Sequence, residues 1–200
     1  MGPTTTDSAG AGLAIRTQRL TKSYGAVRAL DGLDLEVQVG EVYGFLGPNG
    51  SGKTTTIRLL LDLIRPTSGS ATVLGLDPRR DGLALRRRVG YLGGEFVIEG
   101  RQTSAELLRY LGNLRGGVAP ARIDELAERF ALDTSRRISS LSRGNRQKVG
   151  VVQAFMHDPE LLILDEPTSG LDPVLQHEFA AMVGEAAADG RTVFMSSHVM

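Results

Sequence analysis

The sequence has no cysteine among its 200 residues. This absence excludes a disulfide framework and metal sites built on thiolates, and it is typical of a reducing compartment, so we expect the chain in the cytoplasm. A charge excess is also missing, because 23 Lys and Arg residues balance 23 Asp and Glu residues. Nothing in this balance favours nucleic acid or an acidic surface as the main partner.

Long apolar runs are missing as well. A membrane-spanning helix needs roughly 18 to 20 consecutive apolar residues. Even the apolar run at residues 161–164 ends at once in Asp165 and Glu166. Any link to a membrane is therefore expected to run through a partner protein.

Length and composition predict one domain that carries an inserted subdomain. Of the 200 residues, 41% are hydrophobic, which is enough to bury one substantial core. Residues 1–12 are mostly small or polar and show no apolar periodicity, so we expect a disordered tail there. The domain itself is expected to occupy residues 13–200.

Apolar periodicity predicts an α/β fold with three parts. Residues 13–38 alternate as antiparallel strands, with a turn expected at Asp31 and Gly32. Over residues 41–196, strands alternate with helices, which predicts a parallel sheet covered on both faces. Residues 103–131 carry two apolar stripes at helical spacing, which indicates a helical insertion.

A glycine-rich loop at residues 47–54 reads GPNGSGKT and lies between a strand predicted at residues 41–46 and a helix predicted over residues 53–64. Two glycines separated by four residues, followed by Lys and a hydroxyl residue, are typical of a triphosphate-binding loop. Glycine lets backbone N–H groups approach the phosphates, and the start of the following helix favours negative charge. Lys53 would then contact the β- and γ-phosphates, and the Thr54 hydroxyl would bind Mg²⁺.

Two carboxylates follow the apolar strand at residues 161–164, at the end where open α/β sheets bind ligands. Asp165 is expected to hold Mg²⁺ through water, and Glu166 to polarise the water that attacks the γ-phosphate. The simpler alternative is two solvated acids that end a strand. The independent phosphate loop in the same chain favours the catalytic interpretation.

Further motifs, in order and spacing, resemble those of ATP-binding cassette ATPases. Residues 141–147 read LSRGNRQ and are similar to the LSGGQ signature segment of that family. Residues 169–172 resemble its D-loop, His198 its switch histidine, and Tyr24 its adenine-stacking aromatic. The resemblance extends from about residue 13 to the end of the sequence.

The resemblance implies a P-loop NTPase (RecA-like) core with an N-terminal antiparallel β subdomain and a helical subdomain at about residues 95–150. It implies a head-to-tail pair of such domains, with each Mg-ATP held between the phosphate loop of one and the signature segment of the other. The sequence is most similar to ATP-binding subunits of drug or lipid exporters, which power transport through a separate membrane subunit. We therefore expect a peripheral location on the inner face of the cell membrane, with no nucleic acid partner.

The patterns and the resemblance together predict three groups of site residues. The catalytic residues are Glu166, His198 and Lys53. The metal ligands are Thr54, Asp165 and Glu95. The ATP-binding residues are Tyr24, Gly47, Pro48, Asn49, Gly50, Ser51, Gly52, Lys53, Thr54, Thr55, Ser142 and Gly144. Two other histidines, His157 and His177, match no motif and are expected on helix surfaces.

The sequence departs from the family pattern at two motifs. The family usually has a glutamine after the strand that resembles residues 89–92, but this chain continues with two glycines and Glu95. A carboxylate can also bind Mg²⁺, so Glu95 is the expected substitute. In the signature segment, Arg143 and Asn145 replace a glycine and the glutamine, while Ser142 and Gly144 are kept.

The sequence ends at Met200, two residues after His198, whereas members of the family continue through another helix and more strands. We therefore expect a truncated domain. Its last strand is expected to lack the segment that covers it, so that apolar surface and a sheet edge are exposed.

Two other classes of function remain open at this stage. A cassette protein that acts on ribosomes or DNA is expected to carry two cassettes or a long coiled-coil insertion, and these 200 residues contain neither. A nucleotide-binding regulator with little turnover is favoured by the missing glutamine. It is opposed by the presence of Lys53, Asp165, Glu166 and His198. The transported substrate is not encoded here, because the membrane subunit selects it.

Overall fold

The computed structural model describes residues 12–94, 96 and 98–198. Its antiparallel sheet has the order β2-β1-β4, with strands β1 (Leu13–Tyr24), β2 (Val27–Gln38) and β4 (Ser68–Val73). Its parallel sheet has the order β3-β7-β6-β5, with strands β3 (Val42–Leu46), β7 (Thr192–Ser197), β6 (Leu161–Asp165) and β5 (Val89–Leu92). The predicted α/β class with an antiparallel subdomain is therefore confirmed.

Six α-helices and one 3-10 turn complete the described part of the chain. They are α1 (Lys53–Leu60), α2 (Gly82–Arg88), α3 (Ser104–Leu114), α4 (Pro120–Arg129), the 3-10 turn Ile138–Ser140, α5 (Arg143–Phe155) and α6 (Pro173–Ala188). The two apolar stripes predicted in the insertion correspond to α3 and α4. No helix in the described ranges is long and apolar enough to span a membrane.

The parallel sheet is covered on both faces, as the alternation of strands and helices predicts. Alternate residues of β6 face opposite cores: Leu162 and Leu164 pack with α3 to α6, whereas Leu161 and Ile163 pack with α1, α2 and the antiparallel sheet. Every residue of β6 is buried. The strand that carries Asp165 at its end is therefore held rigidly between two apolar layers.

The turn predicted at Asp31 and Gly32 is wrong. Both residues lie inside β2, where the pairing with β1 changes register and Gly32 has a φ of 64°. The chain instead reverses at Gly25 and Ala26, and Gly25 has a φ of 58°. The positive φ that glycine tolerates is used at both places, once for a turn and once for a bulge, and the sequence alone does not distinguish them.

Two helix predictions also need correction. The helix expected over residues 53–64 ends at Leu60, because Asp62 adopts a left-handed φ of 56° and the Leu63 N–H donates to the Arg58 carbonyl at 2.9 Å. This bonding is the usual termination of a helix after a left-handed residue. Helix α2 is absent from the prediction because Leu85 is its single buried residue, so it carries no apolar stripe.

The apolar surface expected to be uncovered on the last strand is buried, whereas an exposed sheet edge is present on another strand. Strand β7 lies between β3 and β6, and its Val193 and Phe194 side chains are fully buried. The exposed edge is β3, where Val42 and Leu46 are 41% and 57% exposed. Strand order in a doubly covered sheet does not follow chain order, so the end of the sequence does not correspond to the edge.

His157 does not lie on a helix surface, as the sequence suggested. It follows α5, it is half-buried, and its Nε2 accepts a hydrogen bond from Arg115 Nη1 at 2.8 Å. Burial, followed by the nearby Arg115 charge, lowers the pKa of His157 to about 4, so the ring is neutral near pH 7. The ring joins the end of α3 to the core. His177 is exposed, as expected.

The tail predicted over residues 1–12 includes Gly12, whose carbonyl accepts a hydrogen bond from the Val39 N–H at 3.0 Å just before β1 begins. Residues 1–11 lie outside the described residues.

Candidate active site

The glycine-rich loop joins β3 to α1, as predicted. Gly52 precedes α1 with a φ of 91°, and a Cβ atom there would lie 2.6 Å from the Ala29 carbonyl oxygen. A Cβ on Gly47 would lie 2.6 Å from Ser51 Oγ. Larger residues would therefore open the loop. The first N–H groups of α1 have no partner within the helix, so this loop presents donors suited to an anion.

Lys53 lies inside the loop and is only 6% exposed. Its Nζ donates to the Gly47 carbonyl at 2.6 Å and to the Pro48 carbonyl at 3.2 Å. It also lies 3.7 Å from Glu166 Oε1. A buried cation held mainly by neutral carbonyls is a strong partner for a phosphate, whose charged oxygens are better acceptors.

Asp165 ends β6 and is 2% exposed. Its Oδ2 accepts a hydrogen bond from Thr54 Oγ1 at 2.8 Å, which joins the end of β6 to the first turn of α1. A hydroxyl and a carboxylate at this distance offer two oxygen ligands at the edge of the phosphate loop. This donor set fits Mg²⁺, which prefers oxygen and commonly takes one or two protein ligands together with phosphates.

Glu166 turns away from the sheet with a left-handed φ of 48°. For a residue with a long side chain this backbone conformation is strained, and such strain is concentrated at functional sites. The turn brings Glu166 Oε2 within 2.6 Å of His198 Nδ1. The two predicted catalytic residues, 32 positions apart, are therefore direct neighbours beside Lys53.

Ser196 is a site residue that sequence reasoning missed. It is fully buried in β7 opposite Asp165. Its hydroxyl donates to Asp165 Oδ1 at 2.5 Å and accepts from the Glu166 N–H at 3.1 Å. One side chain thus orients both carboxylate residues. The available signal was a hydroxyl residue near the end of an apolar strand, but its neighbour could be known only from the strand order.

Two cavities open on these residues. One of about 320 Å³ lies over the loop and is lined by Ala29, Asn49, Lys53 and Thr55 among others. The other, of about 450 Å³, is lined by residues that include Arg58, Tyr91, Gly94, Arg143, Asp165 and His198. Asn49, Thr54 and Glu166 line both cavities. Because they share these residues, the two cavities adjoin, and the phosphate loop and the carboxylates of Asp165 and Glu166 face one concave region.

The signature segment forms the start of α5. Ser142 caps this helix, and its Oγ accepts a hydrogen bond from the Asn145 N–H at 3.3 Å. A Cβ on Gly144 would lie 3.0 Å from the Gly170 carbonyl oxygen, and Gln147 Nε2 donates to the Pro167 carbonyl at 3.0 Å. The signature segment and the turn after β6 thus form one packed unit. Neither Ser142 nor Gly144 is among the described residues that line the two cavities.

Two predicted site residues are not joined to this centre by the described contacts. Tyr24 lies at the tip of the β1–β2 hairpin, is 48% exposed, and lines neither cavity in the part of the chain that is described. Glu95 lies outside the described residues. The chain does pass beside Asp165 just before it, because a Cβ on Gly94 would lie 3.5 Å from Asp165 Oδ2.

Sequence comparison places these features among known proteins. Residues 30–169 match the ABC transporter family. The bacitracin transport ATP-binding protein BcrA of Bacillus licheniformis is 39% identical over 189 residues, which cover 93% of this chain and 62% of BcrA. The daunorubicin resistance ATP-binding protein DrrA3 of Streptomyces coeruleorubidus is 41% identical over 192 residues, which cover 94% of this chain and 61% of DrrA3. The chain therefore spans less than two thirds of either relative.

Structural comparison agrees with the sequence comparison. The solved structure of an ATP-binding subunit of an ABC transporter superimposes with a TM-score of 0.84 at 30% identity, and the match covers 93% of this chain and 80% of that subunit. The fold, the phosphate loop and the motif order thus agree with one assignment, and the chain belongs to the ABC transporter family.

Proposed function

We propose that this chain binds and hydrolyses Mg-ATP and thereby powers transport through a partner membrane subunit. The observation that carries the proposal is the convergence of Lys53, Thr54, Asp165 and Glu166 on one phosphate loop. Phosphoryl transfer to water requires a cation, oxygen ligands for a metal, and a carboxylate beside the attacking water. These four residues supply all three.

The triphosphate would lie along the loop, against the N–H groups at the start of α1. Lys53 would exchange its carbonyl partners for phosphate oxygens, because an ionised acceptor makes the stronger hydrogen bond. Tyr24 would stack against the base. The loop residues Gly47, Pro48, Asn49, Gly50, Ser51, Gly52 and Thr55 would complete the contact.

Thr54 and Asp165 would hold Mg²⁺, with Glu95 as the proposed third ligand. When bound, the metal neutralises charge on the β- and γ-phosphates. Glu166 would orient the attacking water and accept its proton, and His198, 2.6 Å away, would hold the Glu166 carboxylate in place. The Ser196 hydroxyl donates a hydrogen bond to Asp165 Oδ1, which fixes the orientation of this carboxylate.

A second copy of this chain would complete each site. Ser142 is exposed at the start of α5, and the N–H groups of a first helical turn suit a γ-phosphate presented by the partner. Within one chain Ser142 and Gly144 line neither of the described cavities, which supports a site shared between copies. We infer one cassette over residues 13–200, with a helical subdomain at about 95–150.

Export is the proposed direction of transport, and the inner face of the membrane the proposed location. The support comes from the relatives, which are a bacitracin transport protein and a daunorubicin resistance protein.

The test is titration of the purified chain with a fluorescent ATP analogue in the presence of Mg²⁺. ATP and GTP are both expected to compete, because stacking on an aromatic ring tolerates either purine. Chelation of Mg²⁺ is expected to abolish hydrolysis, and Asp165→Asn to raise the Mg²⁺ concentration required for it. Failure to bind either nucleotide would reject the proposal, and binding with no Mg²⁺-dependent hydrolysis would favour a regulator.

Replacement of Ser196 by Ala is expected to lower the ATPase rate by about ten- to a hundredfold, the usual effect of losing a hydrogen bond to a charged group. Affinity for ATP should change little, because the phosphate loop is intact. Steady-state kinetics at varied Mg²⁺ would measure both. Ser196→Thr keeps the hydroxyl and is the control. A wild-type rate and Mg²⁺ dependence in Ser196→Ala would show that Ser196 does not position these carboxylates.

A further inference from the structure

Lys22 makes two contacts that neither the motifs nor the proposed reaction account for. Its Nζ lies 4.9 Å from the centroid of the Tyr24 ring. The same Nζ donates to the Arg65 carbonyl at 2.7 Å. Arg65 belongs to the loop that follows α1. One ammonium group therefore joins the predicted base-stacking ring to the loop after α1, the helix that begins at the phosphate loop.

Backbone contacts reinforce this connection. The Ser23 N–H donates to Thr67 Oγ1 at 3.0 Å, and the Thr67 N–H donates to the Thr21 carbonyl at 2.8 Å. The segment just before Tyr24 is thus fastened to the segment after α1 at three points. The position of Tyr24 relative to the phosphate loop is set by these contacts, because the hairpin tip beyond residue 24 is exposed.

The geometry suits a ring that binds a ligand on one face. A cation within about 6 Å of a ring centroid is attracted to the face of the ring. Lys22 therefore covers one face and restrains the rotation of the side chain. Tyr24 remains 48% exposed, which leaves ring surface available to a planar base. A ring that is held before binding loses less conformational entropy when the base stacks on it.

We propose that Lys22 is a positioning residue that holds Tyr24 at a set distance from the phosphate loop, so that the ring and the loop bind opposite ends of one nucleotide. This inference rests on the proposed function, in which Tyr24 stacks on the base. It predicts that Lys22 raises the affinity for ligands that carry a base and does not change the affinity for the bare triphosphate chain.

The test compares binding of Mg-ATP and of Mg-tripolyphosphate, which lacks the base and ribose, by calorimetry. Lys22→Met keeps roughly the length of the side chain without the charge. It is expected to weaken Mg-ATP binding by roughly three- to tenfold, the range of a cation–π contact. Tripolyphosphate affinity is expected to stay at the wild-type value. Lys22→Arg is expected to restore ATP affinity. Lys148→Met is the matched control, because Lys148 also donates to a backbone carbonyl, that of Ala131.

The decisive measurement is the effect of Lys22→Met in a Tyr24→Ala background. If Lys22 acts through the ring, Lys22→Met causes no further loss of ATP affinity when Tyr24 is already replaced by Ala. Equal weakening of ATP and tripolyphosphate, or additive effects of the two substitutions, would overturn the proposal. So would full ATP affinity in Lys22→Met. Failure of the wild-type chain to bind either ligand is a different result, which rejects the proposed function itself and this inference with it.

Discussion

Glu166→Gln is expected to slow ATP hydrolysis by on the order of 10² to 10⁴ while Mg-ATP still binds. Glutamine has the shape of glutamate but cannot accept the proton of the attacking water. The backbone N–H of residue 166 would keep its hydrogen bond to Ser196, so the left-handed turn after β6 should survive. Single-turnover hydrolysis and ATP titration on the same preparation separate the chemical step from binding.

Blocked hydrolysis should also leave the shared site closed. Because ATP would join Lys53 of one copy to Ser142 of the other, Glu166→Gln is expected to sediment as a dimer with Mg-ATP and as a monomer without it. Adding Ser142→Arg should abolish that dimer, since it removes the helix cap and places bulk where the γ-phosphate docks.

The matched control for this substitution is Glu160→Gln. Glu160 lies just before the other end of β6 and pairs with Arg88 at 2.6 Å, far along the strand from the phosphate loop. The Glu160→Gln variant is expected to keep the parent hydrolysis rate and to remain monomeric with Mg-ATP. If Glu166→Gln hydrolyses ATP at the parent rate, Glu166 is not the base. If it binds ATP but stays monomeric at high concentration, the site is not shared between copies.

Lys53→Ala is expected to weaken ATP binding by on the order of 10² or more, because truncating one partner of a buried charge contact leaves the other unpaired. The substitution removes a side chain that is 6% exposed and leaves Glu166 without the cation 3.7 Å away. The carboxylate would then repel the incoming triphosphate. Titration with a fluorescent ATP analogue measures the loss.

Two further variants keep this result interpretable. Lys53→Met retains the apolar stem and tests whether the loss comes from the charge or from the space vacated in the loop. Lys148→Ala removes a lysine from α5, which is outside the phosphate loop, and should bind ATP as the parent does. Thermal unfolding of each variant shows whether the loop keeps its fold. If both Lys53 variants bind ATP with the parent affinity, Lys53 does not contribute to phosphate binding.

Much of the fold could be predicted because its signals are local. The buried strand at residues 161–164 and the stripes of α3 and α4 repeat at the periods of strand and helix, which a window of the sequence displays. Helix α2 was missed because one buried residue makes no stripe. The sequence suggests a surface position for His157 because its contacts with Arg115 and Val89, 42 and 68 positions away, are long-range.

The phosphate loop and the order of the motifs are properties of the sequence alone, because eight consecutive residues determine the backbone geometry of such a loop. The Glu166–His198 contact and the Asp165–Ser196 bond depend on which strands are neighbours. So does the interior position of β7. Local periodicity encodes which face of a strand is buried but not which strand lies beside it. Long-range packing of the two cores makes that choice, and the tertiary structure alone reveals it.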